Sequence, residues 1–274
     1  MSQPPSAATA SRPRVLVTGA STGIGRATAE LLRDGGWEVF ASVRAAGEAP
    51  ERTIEVIFDV TDPEGIRHAA ARIDELDALV DNAGIAIAAP IEFLPPAELT
   101  RQLDVNVVGQ VRVLQAFLPA LRRSHGRVVL MGSIAGKSAL PFLGAYAMSK
   151  FALEAMADAL RIEVAPFGMH VSIVEPGTIA TPIWTKPQRT VEELPPEAAV
   201  LYGERVEKFR SLAAARARKA VPARDVAKAV EHALTSPKPK TRYIVGPDAK
   251  RRARVERLPN RLRDKLLTRF LFGS

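Results

Sequence analysis

The stretch at 14–34 constrains the fold of this chain more than any other. Arg14, Val15, Leu16, Val17 and Thr18 make a short, mostly apolar run that leads into a turn carrying Gly19, Gly23 and Gly25. Ile24 to Asp34 then follows the ~3.6-residue period of an amphipathic helix. Strand, glycine turn and helix in that order make a cradle for phosphate. The glycines let backbone approach an anion, and the helix N-terminus offers unpaired N–H groups and the positive end of its dipole. Ser21 and Thr22 add hydroxyl donors.

The rest of the chain keeps the same rhythm. Apolar runs at 39–43, 54–58, 78–80, 128–131 and 171–174 alternate with helical stretches near 63–73, 96–121 and 145–167. Such alternation predicts β-α-β units around a parallel sheet buried on both faces. Val226, Val230 and Leu234 place a further amphipathic helix over 223–234, and 243–245 reads as a last strand. The segment 180–218 breaks the rhythm with Pro182, Pro187, Pro195 and Pro196 and a short helical piece. An insertion of this length is expected to cover the carboxyl ends of the strands, where ligands sit in such sheets. The expected architecture is α/β, a Rossmann-type doubly wound parallel sheet. It is one domain over 14–248 with a helical substrate lid at about 180–218. A mobile leader (1–13, rich in Ala, Ser and Pro) precedes it and a basic amphipathic tail (249–274) follows.

Composition narrows the function. With 274 residues, 47% of them hydrophobic, the chain can bury a core, yet no run reaches the ~18 apolar residues of a membrane span. There is no cysteine, which excludes disulfides, thiolate catalysis and cysteine–zinc sites and fits a cytoplasmic location. His68, His125, His170 and His232 are scattered, with no metal-ligand spacing. The net charge of +8 is concentrated in the tail, where nine Lys/Arg face only Glu256 and Asp264. Leu258, Leu262, Leu266 and Phe270 recur every four residues among those arginines. Two readings follow: a helix lying on an anionic membrane, or a helix covering the body with its arginines snorkelled outward. No basic face is interleaved with aromatics, so nucleic acid is not an expected partner.

A second constellation carries chemistry. Asp81-Asn82-Ala83-Gly84, then Ser133, then Tyr146 and Lys150 follow the glycine turn in order. Residues four apart share a helix face, so the Lys150 ammonium can act on the Tyr146 phenol. Bringing a phenol from pH ~10 to about 7 needs roughly 4 kcal/mol at ~1.36 per unit. One cation about 4 Å away in an effective dielectric of ~20 supplies that much. The pair is therefore a candidate general acid/base. Gly132-Ser133-Ile134-Ala135-Gly136 is not the GxSxG elbow of a serine hydrolase.

On these residues the chain resembles the short-chain dehydrogenase/reductase family in its single-domain subtype, over about 14–246. The resemblance implies the following site. Thr18 through Gly25, including Gly19, Ser21, Thr22, Gly23 and Ile24, matches the pyrophosphate loop, and Asp59 with Val60 the pair at adenine. Asn82, Ala83 and Gly84 match the segment beside the adenosine ribose. Asn106, Ser133, Tyr146 and Lys150 match the catalytic tetrad. Pro176, Gly177, Ile179 and Thr181 match the segment that holds the nicotinamide carboxamide.

By that resemblance, Ser133 bonds the substrate carbonyl and Tyr146 exchanges the proton. Lys150 lowers the phenol's pKa and bonds the ribose, and Asn106 holds a water that links Lys150 to solvent. At the end of the second strand the chain has Arg44 and no acid, which suits a 2′-phosphate; NADP(H) is expected, with NAD(H) as the alternative. Leu140, Phe142, Leu143, Ile183, Trp184, Leu194, Val200, Leu201, Tyr202, Val206, Phe209 and Leu212 suit a hydrophobic alcohol or ketone. The segment after Thr241 resembles hydroxysteroid and retinol dehydrogenases, pointing to a steroid-like or retinoid-like substrate. The family is usually a homodimer or homotetramer. The rival readings are a catalytically silent nucleotide sensor on the same fold, and an epimerase of the extended branch, whose glycine spacing differs from that of Gly19 and Gly23.

Overall fold

A computed structural model describes residues 12–181 and 194–273. Residues 1–11 of the leader and Pro182, Ile183, Trp184 and Pro187 of the lid lie outside the described residues. The strands are β1 (Arg14–Val17), β2 (Glu38–Val43), β3 (Ile54–Ile57), β4 (Ala78–Asp81), β5 (Arg127–Met131), β6 (His170–Pro176), β7 (Ile179–Ala180), β8 (Val221–Pro222) and β9 (Arg242–Val245). Seven of them form one sheet in the order β3-β2-β1-β4-β5-β6-β9, and every pairing is parallel. β7 and β8 pair separately beyond its edge.

The period of two along each strand explains why both faces are covered. Val15 and Val17 of β1 point to one side, with Val39, Val80 and Val129; there they meet Ala29 and Leu32 of α1 (Gly23–Asp34). Leu16 points to the other side, with Leu79, Leu130 and Ile173. On that side lie Ile66 of α2 (Pro63–Arg72), and beyond α3 (Pro96–Leu103), Phe117 of α4 (Gly109–Arg123) and Leu153 of α5 (Gly144–Val164). Each such side chain contributes about 1.5–3 kcal/mol by leaving water. The sheet is a doubly wound Rossmann-type layer, as its pattern predicts.

Three differences from the expected elements matter for the site. The single helix expected at 96–121 is interrupted by one π-helical turn, Asp104–Val108. Wide turns of this kind re-aim side chains, and this one turns Asn106 into the interior, where it is fully buried. An Asp104–Arg112 ion pair of 2.8 Å ties the turn to α4. The lid helix α6 (Pro196–Ala217) is long, not short, and its Val200 (85% exposed) and Leu201 face outward instead of lining a pocket. Leu194, Ala198, Val206 and Phe209 of the lid are buried, with Tyr202 and Leu212 packed against them.

After α7 (Ala223–Thr235), which adds Val226 and Val230 to the α1 face, and β9, the tail forms two helices, α8 (Pro247–Val255) and α9 (Asn260–Phe272). Pro259 separates them, since the residue before a proline is disfavoured in helix. α9 docks on the body through Leu267, Leu271 and Phe272, which meet Leu140, Leu143 and Phe209. The expected stripe is on its other side: Leu262, Leu266 and Phe270 are 46%, 44% and 59% exposed. The Arg216 guanidinium of α6 lies over the Phe270 ring at 4.9 Å.

Candidate active site

One cavity of about 500 Å³ opens at the carboxyl ends of β1 and β4, where the strand order reverses. At one end it is lined by Gly19, Ser21, Thr22, Gly23, Ile24, Arg44, Asp59, Val60 and Asn82. At the other it is lined by Ser133, Tyr146, Lys150, Pro176, Gly177, Ile179 and Thr181, with Ala83 and Gly84 between. The structure thus brings to one cavity nearly every residue expected there; Gly25 and Asn106 stand behind its wall.

The glycine end is a backbone construction. Gly19 has φ +64°, a left-handed conformation that favours glycine. A Cβ on Gly25 would stand 2.2 Å from the Gly19 carbonyl oxygen, so only glycine lets the turn close onto α1. The turn is tied to β4 by side chains. The Thr18 hydroxyl donates to Asp81 (3.0 Å) and accepts from the backbone N–H groups of Asn82 (2.8 Å) and Ala83 (3.0 Å). The Asn82 amide donates to the Thr18 carbonyl at 2.9 Å. Thr22 caps α1 without a side-chain bond, which leaves the first N–H groups of the helix to the cavity. Asp59 accepts from the amide (2.8 Å) and hydroxyl (2.7 Å) of Thr61, which fixes its carboxylate at the cavity's rim. These features fit a dinucleotide: free N–H groups at the middle and a cation, Arg44, at the adenosine end.

The chemical end is built from α5 and the turn after β5. Ser133 follows β5 in extended backbone, and its hydroxyl accepts from the Ala135 amide at 3.1 Å and hydrogen-bonds Tyr146. The Lys150 ammonium lies 5.7 Å from the centroid of the Tyr146 ring, on the same helix face. It donates to the Met131 carbonyl at 2.7 Å, leaving two of its three protons free of that bond.

Burial pushes the Tyr146 phenol above its ordinary value, while Ser133 and Arg252 pull it down. Lys150 is itself pushed down to about 8 by burial, held up partly by Asp81. Asp81 is pushed up to about 8 by burial, against the pull of Thr18 and Lys150. The Asn106 carbonyl oxygen accepts from the Ile85 amide (2.8 Å), and its NH₂ donates to the Ile85 carbonyl (2.9 Å) and to Ser149 (3.0 Å). These bonds lock the π turn to α5.

Sequence reasoning missed the contribution of α8. The Asp248 carboxylate accepts from the Thr178 amide and hydroxyl, both at 2.8 Å, and so holds the segment Pro176 to Thr181. Arg252 donates to the Ser138 hydroxyl at 3.3 Å and to the Ser138 carbonyl. These partners are 70 and 114 residues apart in the chain, and no local pattern announces them. Phe142, expected among the apolar residues, holds a bulky side chain at φ +67° and stands edge-on to Tyr202, Phe209 and Phe272, with centroids 6.4, 5.7 and 6.4 Å away.

Parallel sheet, phosphate turn at the switch point, and a buried tyrosine–lysine pair at the far end of one cavity define a dinucleotide-binding oxidoreductase. The family model described as short chain dehydrogenase matches residues 13–192, and the chain belongs to the short-chain dehydrogenase/reductase family. It is 36% identical over 253 residues to a 3-amino-tetrahydro-pyrrolizinone reductase of Xenorhabdus hominickii, covering 87% of this chain and 88% of that one. It is 34% identical to an NADPH-dependent 3-dehydrocapnine reductase of Ornithobacterium rhinotracheale, with 92% and 94% covered. To retinol dehydrogenase 5 of Mus musculus it is 35% identical, with 93% and 87% covered. Among solved structures it is similar to a short-chain dehydrogenase from Streptomyces avermitilis (TM-score 0.79, 30% identity, 96% and 97% covered). It is also similar to one from Burkholderia cenocepacia in complex with NADP (TM-score 0.75, 26% identity, 96% and 98% covered). The protein is an NAD(P)-dependent oxidoreductase that interconverts alcohols and ketones.

Proposed function

We propose that the protein uses NADP(H) to interconvert a hydrophobic secondary alcohol and its ketone, with Tyr146 as general acid/base. The observation that carries this reading is the single cavity joining a phosphate-ready turn to the Ser133–Tyr146–Lys150 cluster. NADP(H) would lie along Gly19 to Gly25, with Arg44 at its 2′-phosphate and Pro176 to Thr181 at its carboxamide, and it supplies or accepts the hydride. Ser133 donates to the substrate oxygen and fixes its position. Tyr146 gives its proton to that oxygen in reduction and takes it in oxidation. Lys150 directs its remaining protons to the ribose side of the cavity.

Arg44 lines the mouth and β2 ends without a carboxylate, which supports the 2′-phosphate. The NADPH-dependent relative and the NADP-bound neighbour agree with it. The likeness to retinol dehydrogenase 5 supports a lipophilic substrate of steroid-like or retinoid-like size; Phe142, Leu194, Val206 and Phe209 line a separate hollow of about 20 Å³ under the lid, outside the catalytic cavity. The test is a panel of ketones and alcohols followed by cofactor absorbance with each of NADP(H) and NAD(H). Turnover of bulky apolar ketones with NADPH is expected. Turnover with NADH at equal or greater efficiency would overturn the cofactor assignment. Inertness across the panel, with cofactor still bound, would favour a silent nucleotide sensor.

A further inference from the structure

We propose that the outward face of α9 docks on anionic lipid, so that the protein binds a negatively charged bilayer surface through its C-terminal helix.

The helix has two apolar sides, and the fold uses only one. Leu267, Leu271 and Phe272 pack against Leu140, Leu143, Phe209 and Leu212 of the body. The Phe272 ring also meets Phe142 edge-on at 6.4 Å. Leu262, Leu266 and Phe270 take no part in that contact. Four residues apart, they stack in one row along the helix, and each stays about half exposed to water.

Charge identifies what covers this row. Arg261, Lys265 and Arg269 each precede one of its members, about 100° round the helix, and form an exposed row of cations beside it. The border at Phe270 is basic too. Arg216 of α6 lies over the Phe270 ring at 4.9 Å, and Arg205 lies over Phe272 at 5.5 Å. The two carboxylates of the tail do not answer this charge, because Arg263 holds both, Glu256 at 3.1 Å and Asp264 at 3.0 Å. Among the described residues, Arg261, Lys265 and Arg269 form no ion pair.

An apolar row between cationic borders matches the surface of an anionic bilayer. The apolar side chains enter the acyl boundary and the cations meet lipid phosphate. With 13 residues, against the ~20 of a spanning helix, α9 lies along that surface. A second copy of this chain fits the face poorly. A two-fold contact would set the same cations against themselves, with Asp264 already held by Arg263.

The test mixes the full chain with vesicles of phosphatidylcholine containing about 30% phosphatidylglycerol, with pure phosphatidylcholine as the neutral arm, and sediments them. Binding is expected to the anionic vesicles, weakly or not at all to the neutral ones, and to fall as salt is raised. Replacing Arg261, Lys265 and Arg269 together by Gln should weaken it about fivefold per cation, roughly a hundredfold in all. Leu266→Ser keeps every charge and should weaken it about tenfold. Replacing Arg224, Lys238 and Lys240 by Gln removes the same charge away from α9 and should leave binding at the parental level. Failure of the parent to bind anionic vesicles overturns the proposal, as does an equal loss in the control triple or undiminished binding in Leu266→Ser. A dimer that becomes monomeric in Leu266→Ser, with vesicle binding intact, would give the face to a second copy instead. Should Leu266→Ser fail to fold, the two charge triples decide the question. Neither cofactor nor substrate enters the test, so it stands or falls apart from the function proposed above.

Discussion

Two regions grip the same cavity by opposite means. The turn from Gly19 to Gly25 acts through backbone: its glycines make room, and α1 aims its amides. Helix α8 acts through two long-range side chains, Asp248 and Arg252, laid against Thr178 and Ser138. A backbone grip tolerates changes of side chain but not of Cα substitution. A side-chain grip tolerates small backbone adjustments but not loss of one functional group. The first suits an invariant ligand part such as pyrophosphate. The second suits the end of the cavity where charge has to be set.

The largest test falls where the two grips meet. Tyr146→Phe is expected to lower turnover roughly 10²–10⁴-fold while cofactor binding, followed by fluorescence, stays within a few-fold. Retained turnover would remove the reason for comparing the two ends. Gly25→Ala attacks the backbone grip. The 2.2 Å approach to the Gly19 oxygen forces the turn open, at about 1–3 kcal/mol. Both a lower melting temperature and cofactor binding weakened at least tenfold are expected from titration.

Asp248→Asn attacks the side-chain grip more gently. It keeps shape and loses one charge-assisted acceptor, worth about 1.5 kcal/mol. Steady-state kinetics should give a KM for cofactor raised about tenfold or less, with melting little changed. If Asp248→Asn matches Gly25→Ala in binding loss, the two grips are equally essential and the contrast fails.

The smallest effect is in pH. Glu175, fully buried just before Pro176, lies 3.2 Å from Lys137 and 3.6 Å from Arg242. Burial and the neighbouring Glu154 nevertheless push its pKa up to about 7. The folded state then holds a proton that the unfolded chain releases. Stability from this group is greatest below its ordinary value of 4.5 and falls as pH rises toward about 7. Glu175→Gln should flatten that decline, by about 1 kcal/mol after allowance for the paired cations, in denaturant melts across the window. A decline of equal slope in the variant would assign the pH dependence elsewhere.

The same contrast explains what could be read in advance. Strand runs such as 171–174 and the turn at Gly19 are legible because burial on both faces and glycine spacing are local patterns. The meeting of Ser133, Tyr146 and Lys150 in one cavity follows from them through the sheet order. The π turn at Asp104–Val108 was not legible, since one extra residue per turn leaves the apolar period of 96–121 nearly intact. The tail misled for a related reason. Its every-fourth-residue stripe, Leu262 to Phe270, is a regular pattern, but α9 buries Leu267 and Leu271 because those meet Leu140 and Phe209. Arg252 looked like one of many tail cations, and only its tertiary partner distinguishes it.

Among the described residues β9 pairs only with β6, and α8 begins two residues after it. A ribosome must therefore deliver residues 242–255 before the reaction chamber has both jambs.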